Sequence, residues 1–167
     1  MPEEIFDVVD EHDRVVGQAP RSVVHARKLL HRAVHVFVFN SRGELLLQKR
    51  SAQKDEYPLC YTSSASGHLN AGESYETAAP RELKEELGLA GELEWLAKFP
   101  AGPQTSQEHT VLYRTISDVA PRIDPDEIDA VTFHPLAEIS DRIVRDPQAF
   151  SPCFVTLFEW YTGHVTS

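Results

Sequence analysis

The chain is poor in sulfur, with two cysteines and one methionine in 167 residues. Cys60 and Cys153 stand far apart and lack the short spacing of a zinc ribbon or a disulfide framework, so they read as two reduced thiols. Positive charge is also scarce. Sixteen Lys and Arg face 26 Asp and Glu, for a net charge of −10. Such a balance argues against clamping a nucleic-acid polymer through its phosphates. No apolar run is long enough to span a bilayer. The start, Met1-Pro2-Glu3-Glu4, lacks the basic residues and apolar stretch of a signal peptide. Together these absences lead us to expect a cytoplasmic protein with neither a membrane nor a nucleic-acid polymer as partner. Repeats, linkers and low-complexity segments are also missing.

What is present is ordinary for a globular protein: 41% hydrophobic and 25% charged residues. The length suits one domain, 1–167, with a substantial core. Ile5–Asp10 and Arg14–Gln18 read as strands around the polar turn Glu11-His12-Asp13. Arg21–Leu30 reads as a short helix or turn with Ser22 as N-cap. Segment 4–31 would then be an N-terminal extension of the same domain. Arg32–Phe39 is the strongest strand, apolar on both faces: Val34, Val36 and Val38 on one, His35, Phe37 and Phe39 on the other. After the turn Asn40–Gly43, Glu44–Arg50 returns as a hairpin arm. Further strands are expected at Tyr57–Ser64, Glu92–Phe99, His109–Ile116 and Ile128–His134. Helices are expected at Pro135–Val144 and Pro152–Tyr161, each with proline near its start.

The richest stretch is Gly67–Leu89. Gly67 is followed after five residues by Glu73, and after seven more by Arg81-Glu82-Leu83-Lys84-Glu85-Glu86-Leu87-Gly88-Leu89. Residues three and four apart are neighbours on a helix, so Glu82, Glu85 and Glu86 share one side. Leu83 and Leu87 form an apolar stripe on another. Gly88 is placed for a left-handed C-cap. Like charges at this spacing repel, so the cluster is either solvated or given a cation. Carboxylate oxygens suit Mg²⁺, with Mn²⁺ as an alternative. Pro80 lies within the expected helix. It removes a bond to the carbonyl of Glu76, so the helix either starts near Ala79 or starts near Ser74 and kinks.

Gly67, Glu73, Arg81, Glu82, Leu83, Glu85, Glu86, Gly88 and Leu89 together resemble the signature of the Nudix family. The resemblance implies an α/β/α sandwich with a mixed sheet, the signature forming loop-helix-loop. It implies a Mg²⁺-dependent hydrolase of a small diphosphate compound. Glu82, Glu85 and Glu86 would ligate the metal with the backbone carbonyl of Ser66, while Glu73 and Arg81 would pair to hold the loop. Bound metal would draw charge from the diphosphate and acidify a water. Arg81, Glu85 and Glu108 are the candidate catalytic residues.

A second, looser resemblance runs from about residue 4 to 135. It rests on Phe6–Asp10, Gly17, His25, His31–Phe37, Leu47–Arg50, Lys54, Pro58 and Gly67-His68. These residues are similar to the Nudix branch containing isopentenyl-diphosphate isomerase. That enzyme uses a cysteine beside the Gly-His pair and a downstream Glu-x-Glu. Here Ser66 and Glu108-His109-Thr110 stand in those places, so the proton-transfer groups are incomplete. Its metal-site histidines are matched by His25, His31 and His68; for His25 and His31 capping or packing is the plainer reading. Glu108 is a metal ligand, a general base or a solvated loop acid. His68 touches substrate or satisfies a turn. Arg50, Lys54 and Lys49 neutralise phosphates or are solvated. His35 reads as a core histidine, and Trp95 and Trp160 as core or interface aromatics. Isomerase activity and a non-catalytic ligand sensor are the alternatives to hydrolysis. Oligomeric state is open, a homodimer being one option.

Overall fold

The computed structural model describes residues 3–165; Met1 and Pro2 of the N-terminal segment discussed above, with Thr166 and Ser167, lie outside the described residues. Among the described residues, nine strands and four α-helices follow the expected order, with β6 an addition to it. β1 (Ile5–Val9) and β2 (Val15–Pro20) form an antiparallel ribbon, followed by α1 (Arg21–Ala26). Then come β3 (His31–Phe39), β4 (Leu45–Arg50), β5 (Tyr61–Thr62) and β6 (Ala65–His68). The signature helix α2 (Tyr75–Leu87) precedes β7 (Glu94–Phe99), β8 (Glu108–Ile116) and β9 (Ile128–His134). The chain finishes with α3 (Leu136–Arg145) and α4 (Pro152–His164).

Seven strands make one mixed sheet. β3 runs parallel to β8 and antiparallel to β6, while β4 pairs antiparallel with β5 and β9. The sheet separates two apolar cores. Val34, Val36 and Val38 face Ala79, Leu83 and Leu87 of α2. Phe37 and Phe39 face Phe154, Leu157 and Phe158 of α4. Side chains alternate along a strand, and β3 uses the alternation to serve both layers. The result is the expected α/β/α sandwich. Among the described residues, no helix is long and apolar enough to cross a membrane.

Some local readings are corrected. Tyr57–Ser64 shrinks to the two residues of β5, because Tyr57 and Leu59 take left-handed backbone (φ 49° and 61°) that no strand accommodates. Ser22 does not cap α1. Pro20 is the N-cap, and the Ser22 N–H donates to Glu3 instead. Trp95 is more than half exposed and is not a core residue. Gly67 lies in strand β6 rather than in an open loop. The helix question is also resolved: α2 starts at Tyr75, with the Ser74 hydroxyl accepting from the Thr77 N–H, and carries Pro80 inside it. Gly88 ends it in the left-handed conformation expected, φ 65°.

Candidate functional site

Strand register gathers the site. In the parallel pairing of β3 and β8, His31 lies opposite Glu108. In the antiparallel pairing of β3 and β6, Ala33 lies opposite His68 and His35 opposite Ser66. Paired residues share a face and alternate residues repeat it, so His31, His35, Ser66, His68 and Glu108 all project from the α4 side of the sheet. α1 adds His25. His35, Ser66, His68 and Glu108 line one end of a cleft of about 440 Å³, and His25 and His31 cluster with His68 beside it.

The acids of α2 reach the same cleft from the other layer. Glu86 accepts the Ser66 N–H at 2.7 Å. The Glu82 carboxylate lies directly over Gly67, where a Cβ would meet its Cδ at 2.2 Å. Gly67 does not need a left-handed φ; it is glycine because the carboxylate needs the space. Arg81 holds the arrangement. Its Nε and Nη2 each donate to Glu73 at 2.7 Å, its Nη1 to Glu82 at 2.8 Å and Glu85 at 3.2 Å, and Nη2 also to the His68 carbonyl at 3.1 Å. The Glu73–Arg81 pair expected from the sequence is thus a bidentate clasp.

Electrostatics mark the acids out. Burial, and then the neighbouring Glu86, push the Glu82 carboxyl up to about 8. Burial pushes Glu86 up to about 7, against the opposing bond from Ser66. Two partly buried, mutually repelling carboxylates fit a hard divalent cation. Glu85 is more exposed and sits at the rim. Arg50 and Lys54 also line the cleft, the latter ion-paired with Glu127. Arg21 joins them, a residue sequence reasoning missed because nothing local marks it. Lys49 pairs with Asp129 at 3.8 Å.

The histidines form a second group. Ligand atoms of His25, His31 and His68 lie within 4.8 Å of one another. His31 Nδ1 donates to the Leu29 carbonyl at 2.8 Å, which leaves Nε2 facing Glu108 Oε2 at 3.2 Å without a hydrogen bond. A buried ring nitrogen that faces a carboxylate and has no hydrogen bond of its own fits a cation between them. His68 Nε2 approaches the same oxygen at 2.5 Å. Burial would raise the Glu108 carboxyl, but His68 and His31 outweigh it and hold it well below the usual carboxylate range. Glu108 is therefore a buried, partnered acid at the start of β8; the solvated-loop reading is corrected, because the strand begins one residue earlier than expected. The packing reading of His25 and His31 is incomplete for the same geometric reason, although Phe6 does stack on His31.

A sequence model of the NUDIX domain matches residues 29–153. The chain belongs to the Nudix family. An isopentenyl-diphosphate Delta-isomerase of Serratia proteamaculans is 32% identical over 162 residues, covering 94% of this chain and 90% of that protein. A Streptomyces coelicolor protein named as an uncharacterized Nudix hydrolase is 38% identical over 146 residues, covering 84% and 80%. The crystal structure of DR0079 from Deinococcus radiodurans superposes with a TM-score of 0.75 at 31% identity, covering 85% of this chain and 90% of that one. The chain thus lies in the Nudix branch that resembles the isomerase. Within that branch Ser66 presents a hydroxyl, not a thiol, and Thr110 points its hydroxyl at the Glu108 carbonyl, 3.1 Å away.

Proposed function

We propose that this Nudix protein is a Mg²⁺-dependent hydrolase, with Mn²⁺ as a substitute, acting on a diphosphate linkage in a small nucleoside-diphosphate-type compound. The observation that carries the reading is the convergence of Glu82 and Glu86, both partly buried, on the Ser66-Gly67 backbone inside a cleft that Arg21, Arg50 and Lys54 also line. Glu82, Glu85, Glu86 and the Ser66 carbonyl would hold the ion. When bound there, it would withdraw charge from the diphosphate oxygens and acidify a water.

The chain's own residues supply the rest. Arg50, Lys54 and Arg21 would bind and orient the diphosphate, and His68 would contact it from the floor of the cleft. Arg81 fixes the loop and the carboxylate positions through the Glu73 clasp, so its part in catalysis is positional. Glu85, the most exposed of the three acids, is best placed at the rim to accept a proton. Glu108 is committed to His31 and His68 and would stabilise that corner of the site.

The cluster of His25, His31, His68 and Glu108 favours a second reading, isomerisation of an isopentenyl-type diphosphate. Ser66 and Thr110 weigh against it, since a hydroxyl is a far weaker acid than a thiol or a carboxylic acid. One assay separates the readings. The protein is incubated with Mg²⁺ and a panel of nucleoside and isoprenoid diphosphates, and phosphate and monophosphate products are measured. Turnover that disappears in Glu86→Gln supports hydrolysis. Interconversion of the two isopentenyl isomers without phosphate release would establish the isomerase. Binding of one compound without turnover of any would point to a ligand sensor.

A further inference from the structure

His35 and Cys153 play no part in the reaction proposed above, yet both open onto the cleft. Both are buried, 118 residues apart in sequence, and His35 Nε2 lies 3.6 Å from Cys153 Sγ. Glu108 completes the group, with one ligand atom from each of the three within 4.8 Å of the others. We propose that His35, Glu108 and Cys153 form a thiolate-containing site for a zinc-class cation, adjoining the three-histidine cluster and sharing Glu108 with it.

The geometry supports this in three ways. Tetrahedral zinc has Zn–N near ~2.0–2.1 Å and Zn–S near ~2.3 Å, which makes the N···S edge about 3.6 Å. The observed separation of His35 and Cys153 already has that value, so those two side chains need not move. Next, the ring of His35 is held from behind. Its Nδ1 meets the Ser63 hydroxyl at 2.7 Å, which fixes the plane and directs Nε2 to the thiol, as an outer partner does for a ligating histidine. Finally, Cys153 occupies the first turn of α4, where the helix dipole favours a thiolate; burial and the Glu108 carboxylate push the free thiol up, so it is the cation that would draw the proton off. That turn is locked by Ser151, whose hydroxyl accepts from the Phe154 N–H and bonds to Thr62 at 2.9 Å.

The donor set selects the ion. One sulfur, one imidazole and one carboxylate suit zinc, whereas the all-oxygen set of α2 suits magnesium. Three protein ligands leave a fourth position, and the cleft supplies it to water or a substrate oxygen. On binding, the Cys153 S–H bond is replaced by an S–metal bond and its proton passes to solvent. Glu108 can serve two ions at once, one through each oxygen.

The test uses Co²⁺ as a spectroscopic probe on the full, metal-stripped chain, and it does not depend on turnover of any substrate. The expected result is a near-ultraviolet thiolate-to-cobalt charge-transfer band that saturates with one equivalent and is bleached by Zn²⁺. The band should be kept in Cys60→Ser and His25→Ala and lost in Cys153→Ser. A variant-free measurement runs beside it: saturating Zn²⁺ should slow alkylation of Cys153 by at least about tenfold while leaving Cys60 unchanged. Cobalt binding without the band in the unaltered protein, a band that persists in Cys153→Ser, or zinc-independent alkylation of Cys153 would each overturn the proposal.

Discussion

The carboxylate of Glu82 lies over Gly67 so closely that a Cβ on residue 67 would sit 2.2 Å from its Cδ. This contact gives the first signature glycine a reason that is tertiary, not conformational. The obstacle is the end of a flexible side chain, so Gly67→Ala should fold. Rotation of Glu82 away from Gly67 would relieve the clash and move the proposed ligand out of place. We expect kcat/KM to fall by about a hundredfold, the scale of a misplacement near 1 Å. The half-saturating Mg²⁺ concentration should rise, and Tm should change little. Steady-state rates against Mg²⁺ concentration check this, and unchanged metal dependence would refute the assignment of Glu82.

The raised carboxyls of Glu82 and Glu86 make stability depend on pH in a definite direction. In the unfolded chain both ionise near the ordinary value of 4.5, whereas in the folded, metal-free state they hold their protons to about 8 and about 7. Between these limits the folded state binds more protons than the unfolded, so stability falls as pH rises. Without divalent ions, Tm should therefore decline from about pH 5 to about pH 8. A bound ion prefers the ionised carboxylates, so the rise in Tm on adding Mg²⁺ should grow over the same range. Thermal melts in chelator and in Mg²⁺ across that range decide it. A Mg²⁺ effect independent of pH would sink the reading.

The acids of α2 were legible because helical spacing and family likeness both act over one turn of chain. The sandwich was legible because β3 alternates valines with aromatics and so announces two apolar faces. Other features depend on distant partners and left no local trace. Gly67 reads as a loop residue until Glu82 is placed above it. His35 reads as an ordinary core histidine until the packing of α4 brings Cys153 to its ring. Glu108 could have been found: reading the alternation of β8 one residue earlier puts it on the face of Leu112. Tyr57–Ser64 misled because aromatic and β-branched residues favour strands, while the left-handed turns at Tyr57 and Leu59 are not encoded by glycine.

Asp13 ties the β1–β2 turn to the rest of the chain. Its carboxylate accepts from Arg32 Nε at 2.7 Å, the Tyr75 hydroxyl at 2.7 Å and Lys98 Nζ at 2.5 Å. Our proposal that 4–31 belongs to one cooperative domain predicts that this knot matters globally. Asp13→Asn keeps a residue tolerant of the left-handed φ of 63° but removes the charge. It should cost about 2–3 kcal/mol, discounted for partial exposure of its partners. Tm should fall by about 5–10 °C in a single transition. Circular dichroism and tryptophan fluorescence should coincide; a separate early transition would show that the ribbon melts alone.

Pro80 is the one residue of α2 that opposes its own helix. It lies six residues into a continuous helix, is exposed, and deprives the Glu76 carbonyl of its N–H partner. Substitution by alanine restores that donor and loses no buried surface. Against this, alanine gives the unfolded chain more freedom than proline does. The lost bond and the ring clash cost more than that freedom, so Pro80→Ala should stabilise the protein by about 1–2 kcal/mol and raise Tm by about 3–6 °C. Glu82, Glu85 and Glu86 follow the proline, and their positions are set by the Arg81 clasp and the Ser66 N–H rather than by the first turn. Turnover should therefore stay within about twofold, a change of less than 1 kcal/mol in barrier. A stabilised but inactive variant would show that Pro80 sets the tilt of the carboxylates, and a destabilised one that its ring packs in a way the helix requires.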